Sequence, residues 1–146
     1  MRIVVQEPAF DFGAEADTFA AGRTDMGAVV TFTGTVRDSA GTLGQMVIEH
    51  YPGMTEKALD SIAREAERRW SLGEVLVIHR YGPMRPGERI MMVATASPHR
   101  QDAFEAAEFL MDYLKSRAPF WKKEQGRDGT GWVASKDEDE DALSRW

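Results

Sequence analysis

The sequence predicts an α+β fold in which helices pack on a mostly antiparallel sheet. Three observations lead there. Segments rich in β-branched and aromatic residues alternate with segments of helical periodicity, in the order β-α-β-β-α-β-β-α-β. Hydrophobic residues occupy 42% of 146 positions, enough for the core of one domain spanning residues 1–146. No window approaches the ~18 uninterrupted apolar residues that a membrane span needs.

The elements follow in order. Ile3 to Gln6 reads as a first strand, and Gly13 to Ala21 as a short helix closed near Gly22. Ala28 to Val36 is rich in β-branched and aromatic residues and reads as a strand, in which Gly34 marks a bulge or a close backbone approach. A loop from Asp38 to Gly44 leads to a strand over Met46 to Tyr51, broken by Pro52-Gly53. Thr55 can cap the next helix, which runs to about Trp70. Its buried stripe is Leu59, Ile62, Ala66 and Trp70, and Lys57, Arg64, Glu65 and Arg68 face solvent. Gly73 follows, then a strand at Val75 to Ile78. Pro86-Gly87 suits a tight turn, with Ile90 to Ala96 as the return strand of a hairpin. Ser97 and Pro98 read as the N-cap and first residue of a long helix with an apolar face of Ala103, Phe104, Ala107, Leu110, Met111 and Leu114. That helix must end before Pro119. Pro119 to Glu124 is expected to be a loop, and Trp132-Val133-Ala134 a last short strand.

Charge excludes some functions. There are 18 Lys+Arg against 24 Asp+Glu, a net charge of −6, which suits a general nucleic-acid binder poorly. Yet Lys115, Arg117, Lys122, Lys123 and Arg127 cluster with only Glu124 opposing them, and Asp137 to Asp141 follow as an acidic run. A basic island in an acidic chain suggests a local anion site. The acidic segment, residues 136–146, reads as a solvated tail or as an interface element packing through Leu143 and Trp146. With no cysteine, the chain has no thiolate nucleophile and no disulfide, and its three histidines lack metal-ligand spacing, so no metal site is expected. The short, early-polar N-terminus is no signal peptide, so a cytoplasmic location is expected.

Three groups could carry chemistry. Gly34-Thr35-Val36-Arg37 ends a strand with a guanidinium, which grips phosphate or carboxylate in two parallel bonds; a solvated Arg beside a bulge is the plainer reading. His99 and Arg100 fall in the first turn of a helix, where cations are disfavoured unless an anion joins them; surface pairing with Asp102 or Glu105 explains them equally well. Lys115 closes the same helix, where its charge suits the dipole, and Lys122 lies past Pro119 beside Phe120 and Trp121. Aromatic neighbours can desolvate a lysine and make it a usable base or nucleophile. His79 reads as a satisfied structural histidine.

The blocks Phe32-Thr33-Gly34-Thr35-Val36-Arg37, Glu49-His50-Tyr51-Pro52-Gly53-Met54, Ile78-His79-Arg80-Tyr81-Gly82, His99-Arg100 through Ala103-Phe104-Glu105-Ala106, and Met111-Asp112-Tyr113-Leu114-Lys115 through Pro119-Phe120-Trp121-Lys122 together resemble the large, catalytic subunit of molybdopterin synthase. The resemblance covers nearly the whole chain. It implies an α/β-hammerhead-type fold with a small additional β layer, and a homodimer at the centre of a heterotetramer. It implies a partner, a small ubiquitin-like sulfur carrier with a C-terminal Gly-Gly. It also implies sulfurtransferase activity: sulfur passes from the carrier's thiocarboxylate to cyclic pyranopterin monophosphate, forming the dithiolene of molybdopterin. No cofactor is implied, because the pterin is substrate. By resemblance, Lys115 and Lys122 are catalytic, and Thr35, Val36, Arg37, His99, Arg100, Lys115, Lys122, Lys123 and Glu124 bind substrate.

The residues suit that chemistry. A phosphorylated substrate needs cations, and a thiol-free chain must import its sulfur. The segment Asp38 to Gly44 is short for this family. Two other functions fit the residues less well: a non-catalytic module that binds an anionic peptide tail or carrier, and a single-strand nucleic-acid binder stacking bases on Phe120, Trp121 and Trp132.

Overall fold

The computed structural model describes residues 1–127, 129–134 and 137–146. In chain order the elements are β1 (Arg2–Gln6), α1 (Phe12–Thr18), β2 (Ala28–Thr35), β3 (Leu43–His50), α2 (Met54–Arg69), β4 (Glu74–Arg80), β5 (Gly82–Met84), β6 (Arg89–Ser97), α3 (Arg100–Ser116), β7 (Phe120–Gly126), β8 (Gly129–Trp132) and α4 (Asp137–Ala142), closed by a 3-10 turn at Leu143–Arg145. They form an α+β fold with two four-stranded sheets. The first has the order β1-β4-β6-β2, with β1 parallel to β4 and the other pairs antiparallel. The second, β5-β3-β7-β8, is wholly antiparallel.

Strand β4 shows why the first sheet reads as continuously apolar. Val75 and Val77 join the larger core with Val93, Leu59, Phe109 and Leu110, under α2 and α3. Leu76 and Ile78 point the other way, against Met92, Ala94, Phe10, Phe12 and Phe19, beneath α1. A strand covered on both faces needs no polar alternation. The second sheet closes the larger core with Met46 and Ile48 of β3 and Met84 of β5. Gly34 marks a register shift in the pairing of β2 with β6, as its place in the strand suggested.

Several expectations need correction. Phe120 to Glu124 is not a loop. Its backbone pairs with β3 from His50–Phe120 to Leu43–Gly126, and with β8 on its other side. The ladder overrides the weak strand propensity of Lys-Lys-Glu-Gln. At Gly126 the pairing is so close that a Cβ would collide with the Thr42 carbonyl oxygen. Thr55 lies inside α2 and is buried; Gly53, at φ +85°, is the N-cap, and its N–H donates to the Glu56 carboxylate at 2.6 Å. Ser97 remains in β6, paired with Ala28, so α3 begins at Arg100 with His99 as its cap. The Pro86-Gly87 turn forms, with Gly87 at φ +90° and the Glu88 N–H donating to Arg85 O at 3.1 Å. The short strand β5 of the other sheet intervenes before it, and β6 returns antiparallel beside β4, as expected, with β2 antiparallel on its other side.

The acidic segment is no loose tail among its described residues; Lys136, where it was expected to begin, lies outside them. Ser116 Oγ donates to Asp139 O at 3.0 Å, and Arg117 pairs with Glu140. Trp146 turns back onto α2 and α3, edge-on to Trp70 and Phe109 with centroids 5.6 Å from each. Its Nε1 donates to Asp112 at 2.7 Å, and Arg69 donates to its carbonyl at 2.8 Å. Segment 137–146 therefore straps α3 to α2.

Candidate active site

Strand pairing sorts the basic residues of β7 by face. Lys122 stands opposite buried Ile48, and Glu124 opposite buried Met46, so both lie on the inner face. Lys123 stands opposite Val47 and Trp132, on the outer face, with its Nζ 5.4 Å from the Trp132 ring centroid. The doublet Lys122-Lys123 is thus divided between two surfaces.

The chain between Lys115 and Lys122 is held from two sides. Thr55 Oγ1 accepts from the Tyr51 N–H at 3.0 Å and donates to Pro119 O at 3.1 Å. The His79 ring stacks on Phe120, centroids 3.6 Å apart and planes 16° from parallel. Burial lowers the pKa of His79 to about 4; its bond to the Arg80 backbone opposes this, and the charges of Lys122, His50 and Lys115 lower it further. Lys115 and Lys122 therefore act on one and the same ring, although α3 supplies the first and β7 the second.

Where β7 and β8 meet the loop after β2 lies a cavity of about 460 Å³, lined by Arg37, Asp38, Leu43, Glu124, Trp132 and Val133 among others. The Val133 N–H donates to Lys122 O at 2.8 Å, which ties the cavity wall to the lysine. Arg37 emerges just past the end of β2 with an exposed side chain. Asp38 Oδ1 accepts from the Leu43 N–H at 3.2 Å and shapes the short loop over the cavity. Val36 next to it is in the core, 3% exposed, and its backbone bonds to Glu88 and Gly87. Thr35 is exposed, opposite Arg89.

The structure brings Arg37, Lys115, Lys122 and Glu124 to one end of the molecule. His99 and Arg100 sit at the other end. They begin the 17-residue helix that Lys115 ends, a separation of about 24 Å at 1.5 Å per residue. Strand pairing agrees, because Ser97 opposes Ala28 at the start of β2, whereas Arg37 follows its end. The sequence reading missed the stack of His79 on Phe120 and the Thr55 bond to Pro119. Both partners, Phe120 and Pro119, lay in a stretch expected to be a loop.

Chemically, a guanidinium in a cavity wall and two ammonium groups at the same end of the molecule can hold an anion and move protons. With no cysteine anywhere in the chain, any sulfur chemistry here must begin on another molecule. Fold and site define an α+β protein with a cluster of cationic side chains at one end. Residues 5–117 match the MoaE protein family, and the chain belongs to it. It is 64% identical over 146 residues to the molybdopterin synthase catalytic subunit of Cereibacter sphaeroides, covering 100% of both chains. It is 55% identical over 144 residues to the protein of the same name in Mesorhizobium japonicum, covering 97% of this chain and 91% of that one. A solved structure described as the molybdopterin biosynthesis MoaE protein from Burkholderia ambifaria superposes with a TM-score of 0.85 at 50% identity, covering 99% of this chain and 97% of that one.

Proposed function

We propose that the chain is the catalytic subunit of molybdopterin synthase and acts as a sulfurtransferase in the cytoplasm. Sulfur arrives on the thiocarboxylated Gly-Gly terminus of a small ubiquitin-like carrier and passes to cyclic pyranopterin monophosphate, giving the dithiolene. The observation that supports this most is that Lys115 and Lys122 both act on the His79 ring, at the end of the molecule where Arg37 and Glu124 line a cavity, in a chain 64% identical from end to end to a protein of that name. Lys115 acts at the carrier tail and in proton transfer, Lys122 assists it, and Arg37 holds the substrate phosphate. The residues need no cofactor for this.

His99 and Arg100 serve the pocket of a second copy. Strand β2 is an edge of its sheet, and Val29 and Phe32 on it are 48% and 43% exposed. Two such edges meeting antiparallel about a two-fold axis bring the start of one β2, where His99 and Arg100 lie, to the end of the other, where Arg37 lies. The test is Lys115→Ala with thiocarboxylated carrier and the cyclic pterin. Loss of dithiolene is expected, and a wild-type yield removes Lys115 from the reaction.

A further inference from the structure

His79, a buried titratable group beneath the lysine pair, has no role in the reaction described above. It is 7% exposed, and its Nδ1 lies 2.8 Å from Arg80 O. A carbonyl oxygen only accepts, so Nδ1 carries the proton and the neutral ring keeps its lone pair on Nε2. One face of the ring covers Phe120, the first residue of β7. Lys122 from β7, His50 from β3 and Lys115 from α3 all act on it electrostatically. On its own strand, the Arg80 guanidinium is directed away, to Glu7 O at 3.0 Å and to Glu88 and Arg89 O at 3.3 Å.

The two lysines are joined by a short stretch of chain. From Ser116 to Phe120 it is held by Ser116 Oγ donating to Asp139 O at 3.0 Å, the Arg117 N–H donating to Tyr113 O at 2.7 Å, the Arg117–Glu140 pair, the Phe120 N–H donating to Ala118 O at 2.9 Å, the Thr55 bond to Pro119, and the His79 stack. The stack is the only one of these that engages the side chain next to Trp121-Lys122 in β7. We propose that His79 is a positioning residue for sulfur transfer: its uncharged ring clamps Phe120, fixes the placement of Lys122 relative to Lys115, and adds no third positive charge beneath them. The proposal rests on the reading of Lys115 and Lys122 given above.

The test compares His79→Gln, which loses the stack, with His79→Phe, which keeps a flat neutral ring. Steady-state kinetics with thiocarboxylated carrier and the cyclic pterin are measured alongside a circular-dichroism melt. For folded His79→Gln, kcat falls about 10-fold while both KM values stay within about 2-fold, and His79→Phe restores kcat to within about 3-fold of wild type. A merely structural residue would change the melt and the yield of folded protein, and leave kcat per folded molecule as it was. Should His79→Gln not fold, Phe120→Leu removes the stack from the other side and is expected to show the same split. Wild-type kcat in the folded variant that lacks the stack, or an equal loss of kcat in His79→Phe, overturns the proposal. Lys115→Ala and Lys122→Ala in the same assay separate the two readings. If they stay active, the assignment of the lysines fails; if they are inactive while the variant without the stack is unimpaired, only the role of His79 fails.

Discussion

Lys122 and Lys123 are neighbours in sequence and project from opposite faces of β7, the first opposite buried Ile48 and the second against Trp132. Only the first shares its face with Glu124. Lys122→Ala is therefore expected to lower the rate of dithiolene formation by 100-fold or more, roughly what loss of a positioned proton-transfer group costs, and Lys123→Ala by less than about 3-fold. Single-turnover rates of the two variants check this; equal losses would mean that the division by face has no functional weight.

The placement of His99 and Arg100 predicts complementation. Lys115→Ala and Arg100→Ala subunits should each be nearly inactive alone. Unfolded together and refolded as a mixture, they should recover about a quarter of wild-type activity, because half the dimers are mixed and each mixed dimer holds one intact site. No recovery would mean that each chain completes its own pocket, or that Arg100 is not part of one.

Burial of His79 predicts how stability depends on pH. The unfolded residue titrates near 6.5 and the folded one at about 4. Between those values the unfolded chain binds a proton that the folded chain does not. Stability therefore falls as pH drops from 6.5 towards 4, and the full loss from this group, about 3 kcal/mol, is present below the lower value. Urea unfolding at pH 7 and pH 4.5 should show a smaller difference for His79→Phe than for wild type. Identical differences would show that His79 is not held neutral.

The C-terminal strap predicts a stability effect separable from catalysis. Trp146→Ala removes two edge-on aromatic contacts and the bond to Asp112, and should cost about 2 kcal/mol of unfolding free energy. Trp146 meets α3 at Phe109 and Asp112, neither of which lines the cavity, so kcat below the melting transition should stay within about 2-fold of wild type. An unchanged denaturation midpoint would contradict this account of the strap.

Much of this architecture is legible in the residues. The stripe Leu59, Ile62, Ala66 marks the buried face of α2, and Pro86-Gly87 marks its turn, because periodicity and backbone chemistry are local signals. The run Phe120 to Glu124 is not legible in the same way. Its strand exists because β3, distant in sequence, and β8, the next strand along, supply partners, and nothing in Lys-Lys-Glu-Gln announces them. That one missed strand hid the facing of Lys122, the stack on His79 and the bond from Thr55 to Pro119. The cations themselves were visible. Their division between the two ends of α3 follows from helix length once Lys115 and Arg100 are placed on a single helix. For the acidic run, charge argues for solvent while Leu143 and Trp146 argue for packing, and Trp146 supplies the anchor.

The most direct test of the lysine site mixes the purified chain with a thiocarboxylated carrier and cyclic pyranopterin monophosphate and follows the pterin by mass spectrometry. The expected result is a product that has gained two sulfurs with the wild-type chain and none with Lys115→Ala. A carrier that binds the wild-type chain while the pterin keeps its original mass would show instead that these cations hold a tail and catalyse nothing.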